Sequence, residues 1–264
     1  VNAIPQLTTR IPDLVIVTGT ASGLGRNIVR LLAASGARVI GVDLVPVPEE
    51  FGASYTHIQG DVSKSELWQQ VIAEVEARRP QRLGLVSAAA VLRVGTIDVF
   101  SPADTALTMN VNFLGTMLAM QAVLPVMRRL GGGPIVAVAS IDATFAEQQL
   151  AVYAASKGAV RQLTRTVAMD HAREGIRANV LSPGPMMAGL FERHMQSAND
   201  PEKFLATRAA RQPGGRILDP AEIAQCALFL LSDASSALNG TEIIADGGLT
   251  TSFDFRTGAE GASV

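Results

Sequence analysis

Tyr153 and Lys157 stand four residues apart in a run with helical apolar spacing, Val152 to about Arg173. Four residues is about one turn, so the phenol and the ammonium share a face. A phenol with a pKa of about 10 is a poor base near neutral pH. A neighbouring ammonium favours the phenolate and brings proton exchange within reach. Ser140, at the end of the apolar run Ile135 to Ala139, supplies a hydroxyl that can hold a substrate oxygen. Such a set suits general acid–base chemistry at a carbon–oxygen centre. A Tyr–Lys pair alone is usually accidental, so its meaning depends on the rest of the chain.

A second group of residues lies far upstream. Thr18-Gly19-Thr20-Ala21-Ser22-Gly23-Leu24-Gly25 follows the short apolar run Leu14 to Val17 and leads into a helical pattern. Glycines between a strand and a helix permit a tight turn and let the backbone approach a pyrophosphate. The helix N-terminus then presents free N–H groups to the phosphates. This assigns Gly19, Ser22, Gly23, Leu24 and Gly25 to a dinucleotide loop. Asp43 ends the next strand, 18 residues after Gly25, near the spacing of a ribose-binding acid. Its carboxylate would repel a 2′-phosphate, and Leu44, Val45 and Pro46 offer no cation beside it. The residues therefore favour NAD over NADP, the alternative being a solvated Asp at a strand end.

The elements that must position these groups alternate almost without a break. Strand-like runs fall at Leu14 to Val17, Arg38 to Asp43, Tyr55 to Asp61, Leu83 to Ser87, Ile135 to Ala139, around Asn179 to Leu181, and Thr241 to Ala245. Helical patterns separate them. Ser63 and Glu66 have capping-box spacing, Ser101-Pro102 opens a long helix to about Leu130, and Asp219-Pro220 opens the last one. Seven strands separated by helices predict an α/β fold, a doubly wound parallel sheet with helices on both faces. Its strand ends are where such sheets place their sites.

Composition narrows the classes. Of 264 residues, 48% are hydrophobic, enough for a large core, and the net charge of −2 advertises neither nucleic acid nor a membrane surface. The one cysteine, Cys226, lies in an apolar run and is expected in the core. Val1 to Asp13 lacks the pattern of a signal peptide. No run approaches the roughly 20 apolar residues that span a bilayer, and the expectation is a cytoplasmic protein. No pair of His57, His171 and His194 has metal-ligand spacing, so no metal is expected.

Over about residues 10 to 250 the sequence resembles the short-chain dehydrogenase/reductase family. Thr18 to Gly25 matches its T-G-x-x-x-G-x-G motif, and Tyr153 and Lys157 its Y-x-x-x-K pair, with Ser140 thirteen residues before the Tyr. Asn112, followed by Gly115, matches the family's Asn, with Asn110 as the alternative. The resemblance implies one Rossmann-fold domain over 1–264, with Asn112, Ser140, Tyr153 and Lys157 catalytic and Asn112 distorting its helix to hold a proton-relaying water. It implies adenine contacts at Asp61 and Val62, and nicotinamide contacts at Pro183, Gly184 and Met186. Ala88, Ala89 and Ala90 would pass close to the cofactor, and Asp246-Gly247-Gly248 would close the last strand. It also implies a substrate lid over about 186–215, a tail over 251–264, and a homotetramer. Two departures stand out: Ser87-Ala88-Ala89-Ala90 in place of N-N-A-G, and Ala188 in place of Thr. Ser87 is expected to replace part of a strand-tying Asn. The implied activity is NAD-dependent interconversion of a small-molecule secondary alcohol and its ketone. An NADP-dependent ketoacyl-type reductase and a non-enzymatic dinucleotide sensor or scaffold are the alternatives.

Overall fold

The computed structural model describes residues 9–47 and 51–251. Apart from Thr251, the expected tail lies outside the described residues. Seven strands form one parallel sheet in the order β3-β2-β1-β4-β5-β6-β7. They are β1 (Leu14–Thr18), β2 (Arg38–Asp43), β3 (Tyr55–Gln59), β4 (Leu83–Ser87), β5 (Gly133–Val138), β6 (Ile176–Pro183) and β7 (Glu242–Ala245). β1 pairs with β2 on one side and β4 on the other, so the chain reverses its direction of winding there. At that point the loops after β1 and β4 diverge and leave a crevice at the strand ends.

Apolar strands buried on both faces need helices on both sides. On one face α2 (Ser65–Arg78), α4 (Gly115–Arg129) and α5 (Ala151–Asp170) cover Leu14, Ile16, Leu85 and Ile135. On the other, α1 (Gly23–Ala34) and α8 (Pro220–Leu231) cover Val15, Val17, Val39 and Leu181. α8 begins as its sequence predicts, with a capping box between Asp219 and Glu222 and Pro220 in the first turn.

Several expectations need correction. Ser63 does not cap α2: its N–H and hydroxyl both donate to Asp61 Oδ1, so it is held in the turn after β3, and Lys64 stands at the N-cap. β3 stops at Gln59, before Asp61. The long helix divides into α3 (Pro102–Met109), a π-helical turn at Asn110–Leu114, and α4. By length and composition alone, Pro102–Arg129 is a helix apolar enough to cross a membrane. Met120, Val123 and Met127 on it are nevertheless buried in the core against the sheet. Cys226 is half-buried at the edge of the second core cluster, because α8 turns it away from the centre. The polar stretch from Gly189 to Gly215 forms two helices, α6 (Gly189–Gln196) and α7 (Pro201–Ala210).

Candidate active site

A cavity of about 700 Å³ runs along the strand ends across the crevice. All the cofactor and catalytic residues expected from the sequence line it, except Asn112. Close approaches explain the glycines at its floor. A Cβ on Gly19, whose φ is +76°, would stand 2.9 Å from Ala89 Cα and N, and one on Gly25 would stand 2.2 Å from Gly19 O. These contacts let the loops after β1 and β4 touch beneath a ligand and leave a cradle a side chain would fill. Asp43 closes the far end. Its Oδ2 accepts the Ala21 N–H at 2.9 Å and its Oδ1 the Val45 N–H at 3.2 Å. The carboxylate is thereby fixed to the glycine loop and lines the cavity with Leu44. Asp61 and Val62 line the wall, and the Val62 carbonyl accepts the Trp68 indole N–H at 2.8 Å. A dinucleotide fits this donor set: Gly19 to Gly25 would hold its phosphates and Asp43 its ribose hydroxyls.

The altered segment after β4 is held differently from expectation. Ser87 does not tie strands together; its hydroxyl is 3.0 Å from that of Thr116 on α4. The tie comes from Thr18, whose buried Oγ1 accepts the N–H groups of both Ala88 and Ala89, at 2.9 and 3.0 Å. β1 therefore supplies the link, and the alanines need only backbone. Opposite them, the Gly184 N–H donates to Ala245 O at 3.0 Å, and a Cβ on Gly184 would lie 2.9 Å from Asp246 Cα. Pro183, Gly184 and Met186 form the wall on that side.

Ser140, Tyr153 and Lys157 converge in the other half of the cavity. Lys157 is buried, donates to Val138 O at 2.8 Å, and lies 5.7 Å from the centre of the Tyr153 ring. Burial pulls its pKa down to about 8, against a smaller upward pull from the Asp142 carboxylate. Burial likewise pushes the Tyr153 phenol above its usual value, assisted by Asp142 and opposed by the Ser140 hydroxyl. The lowering expected from Lys157 is not seen in this arrangement, where desolvation sets the direction for both groups. Asn112 stands behind the cluster in the π-helical turn, fully buried. Its Oδ1 accepts the Val91 N–H at 2.8 Å, and its Nδ2 donates to Val91 O at 3.1 Å and Ser156 Oγ at 3.0 Å. Ser156 in turn donates to the Tyr153 carbonyl at 2.7 Å, so Asn112 reaches the cluster through α5. Asn110 is exposed at the same turn.

The mouth is closed by α6 and α7. Leu190, Phe191 and His194 line the cavity with Phe204 and Arg208 of α7, whereas Met195 does not. Phe204 is the hub: Phe191, His194 and the Arg208 guanidinium pack on its ring at 5.7, 5.1 and 5.2 Å. Arg208 pairs with Glu147 at 2.7 Å, joining α7 to the segment before α5. Glu147 lines the cavity, while Gln148 and Gln149 are exposed. Sequence reasoning missed Asp142, Phe204 and Arg208. Asp142 follows Ser140 by two residues, the only local signal there was; the other two become neighbours only when α7 folds over the mouth. Among the described residues no group of His, Cys, Asp and Glu could hold a metal ion.

The profile of a family described as enoyl-(acyl carrier protein) reductase matches residues 19–250. The rat dehydrogenase/reductase SDR family member 6 is 30% identical over 239 residues, 89% of this chain and 96% of the relative. The chain belongs to the short-chain dehydrogenase/reductase family. As such it is a dehydrogenase/reductase acting on CH–OH groups with a nicotinamide dinucleotide. Galactitol 2-dehydrogenase (L-tagatose-forming) of Cereibacter sphaeroides is 38% identical over 242 residues, 89% of this chain and 93% of the relative. A gluconate 5-dehydrogenase of Burkholderia cenocepacia, solved in complex with NADP and tartrate, is 33% identical. It aligns with a TM-score of 0.81 over 90% of this chain and 95% of its own. The seven-stranded Rossmann-type sheet is common to the family.

Proposed function

We propose that this short-chain dehydrogenase/reductase interconverts a secondary alcohol and its ketone with NAD, using Tyr153 as general acid and base. The observation that carries the proposal is one continuous cavity, with Ser140, Tyr153 and Lys157 at one end and Asp43 on the glycine loop at the other. Bound nicotinamide supplies hydride exchange with the substrate carbon. Tyr153 takes the hydroxyl proton in oxidation and returns it in reduction. Ser140 holds the substrate oxygen, and Lys157, with its pKa near 8, stabilises the phenolate. Asn112 positions α5 through Ser156 and opens its helix, giving the proton a route to solvent. NAD is favoured because Asp43 would face a 2′-phosphate as a carboxylate, with Leu44 and Val45 exposed beside it. The galactitol dehydrogenase relative extends the substrate reading to polyhydroxylated alcohols.

Residues 186–215 act as the substrate lid of a single domain. Met169 on α5 and Ile244 on the edge strand β7 are large apolar residues left exposed, which suits contact with a second copy and is consistent with a homotetramer. Light scattering should give four chains, and a monomer would remove this part. A single cysteine suits the cytosol.

The test is absorbance of reduced nicotinamide across alcohols and ketones, with NAD and with NADP, using Tyr153→Phe as control. Turnover favouring NAD, lost by about 10² or more in the variant while cofactor still binds, is the expected result. Turnover with NADP alone, as the cofactor of the Burkholderia cenocepacia structure would have it, overturns the role given to Asp43. Firm cofactor binding without any turnover would favour a sensor.

A further inference from the structure

Asp142 is a carboxylate on the substrate side of the cavity for which the proton-transfer machinery has no use. It stands two residues after Ser140, in the short 3₁₀ turn Ile141–Ala143. The Ser140 hydroxyl donates to Asp142 Oδ2 at 3.0 Å and accepts the Asp142 N–H at 3.1 Å. Among the described residues nothing donates to its Oδ1, and the residue lines the cavity. The charged groups around it are Glu147, Arg208 and Lys157. Arg208 is engaged by Glu147 at 2.7 Å, and Lys157 donates to the Val138 carbonyl. Neither cation is committed to Asp142, so an acceptor is left facing the substrate.

We infer that Asp142 determines specificity by accepting a hydrogen bond from a hydroxyl on the carbon next to the reacting carbinol, selecting neutral vicinal diols and polyols. This rests on the proposed function and names the substrate class for that site. Through Oδ2 the Asp142 carboxylate is tied to Ser140 Oγ at 3.0 Å, which leaves Oδ1 of the same group as the acceptor beside the hydroxyl that Ser140 would hold. A purely apolar substrate would shut a half-buried carboxylate away from water without a donor, which is costly. A substrate with a carboxylate at the adjacent carbon would set like charges together, and Arg208, already paired, offers little relief. The apolar side chains of Leu190, Phe191 and Phe204 remain for the carbon backbone of the substrate.

The experiment compares three substrates of similar size: 2,3-butanediol, 2-butanol and lactate. Each is assayed for kcat and KM with native protein, Asp142→Asn and Asp142→Ala, after circular dichroism and thermal melting establish that both variants fold. The native protein should prefer the diol to 2-butanol and use lactate worst. In Asp142→Ala the ratio of kcat/KM for diol over 2-butanol should fall by about tenfold or more, as expected for a lost hydrogen bond to a charged group. Asp142→Asn, which keeps a neutral acceptor, should fall between. A purely structural role through Ser140 would lower both alcohols equally; that result overturns the inference and leaves the oxidoreductase reading intact. Preference for lactate overturns it in the same way. No turnover of any alcohol by the native protein, with either cofactor, would end both.

Discussion

Replacing Lys157 by Met should make the protein more stable while it destroys turnover. Lys157 is 2% exposed, and burial holds its pKa near 8 instead of the usual 10.5. At pH 7 the folded chain therefore carries an ammonium where its surroundings favour the neutral amine, at a cost of about 3 kcal/mol. Methionine removes that cost but leaves the Val138 carbonyl without its 2.8 Å donor, which returns about 1–2 kcal/mol. The expected net gain is about 1–2 kcal/mol, a rise in Tm of about 3–6 °C for a domain of this size. The pH dependence gives the sharper check. Between about pH 8 and 10.5 the unfolded chain holds a proton on Lys157 that the folded chain has lost, so native stability rises with pH. The gain of Lys157→Met should thus be full below pH 8, pass through zero near pH 9, and turn into a loss of about 1 kcal/mol above pH 10.5, where only the missing donor to Val138 remains. Urea denaturation at fixed protein concentration, at pH 7 and again at pH 10, measures it. A variant less stable than native at pH 7, or a gap unchanged at pH 10, would refute the reasoning.

Three further outcomes follow from the same geometry. Asp43→Asn keeps an acceptor for the Ala21 N–H, gives up the longer bond from the Val45 N–H, and removes the charge. The ratio of kcat/KM for NAD over NADP should fall by about tenfold, and an unchanged ratio would show that the carboxylate does not discriminate. Thr18→Val preserves shape and strips the acceptor from Ala88 and Ala89, so denaturation should report a loss of about 2 kcal/mol and calorimetry weaker cofactor binding. Burial and the Glu147 charge raise the Asp142 carboxyl to about 6, so its carboxylate forms as pH climbs through that value. The preference for a diol over 2-butanol should therefore increase with pH across that range in native protein; the step should be absent in Asp142→Asn.

Local rules carried the reading wherever neighbours along the chain decide the outcome. β2 at Arg38–Asp43 and β4 at Leu83–Ser87 were legible to the residue, because apolar runs bounded by turn residues leave little choice. The glycine loop was legible because only glycine tolerates the approach of Ala89 to Gly19. Ser63 was misread because two acceptors competed for it: the sequence shows a capping spacing, but the Asp61 carboxylate lies closer in the folded turn. The break at Asn110–Leu114 left no periodic trace, since a π turn adds one residue without changing residue types.

Sequence alone determined the strand-and-helix alternation, the glycine loop between β1 and α1, Asp43 at a strand end, and the shared face of Tyr153 and Lys157. Each follows from a period or an offset within a few residues. Tertiary structure decided which groups share one cavity and how strongly burial acts on them. Thr18 meets Ala88 across 70 positions, Arg208 meets Glu147 across the mouth, and Asn112 reaches Ser156 from another helix. It also reversed the expected shift of Tyr153, because desolvation depends on how completely helices and sheet exclude water, and no spacing along the chain encodes that.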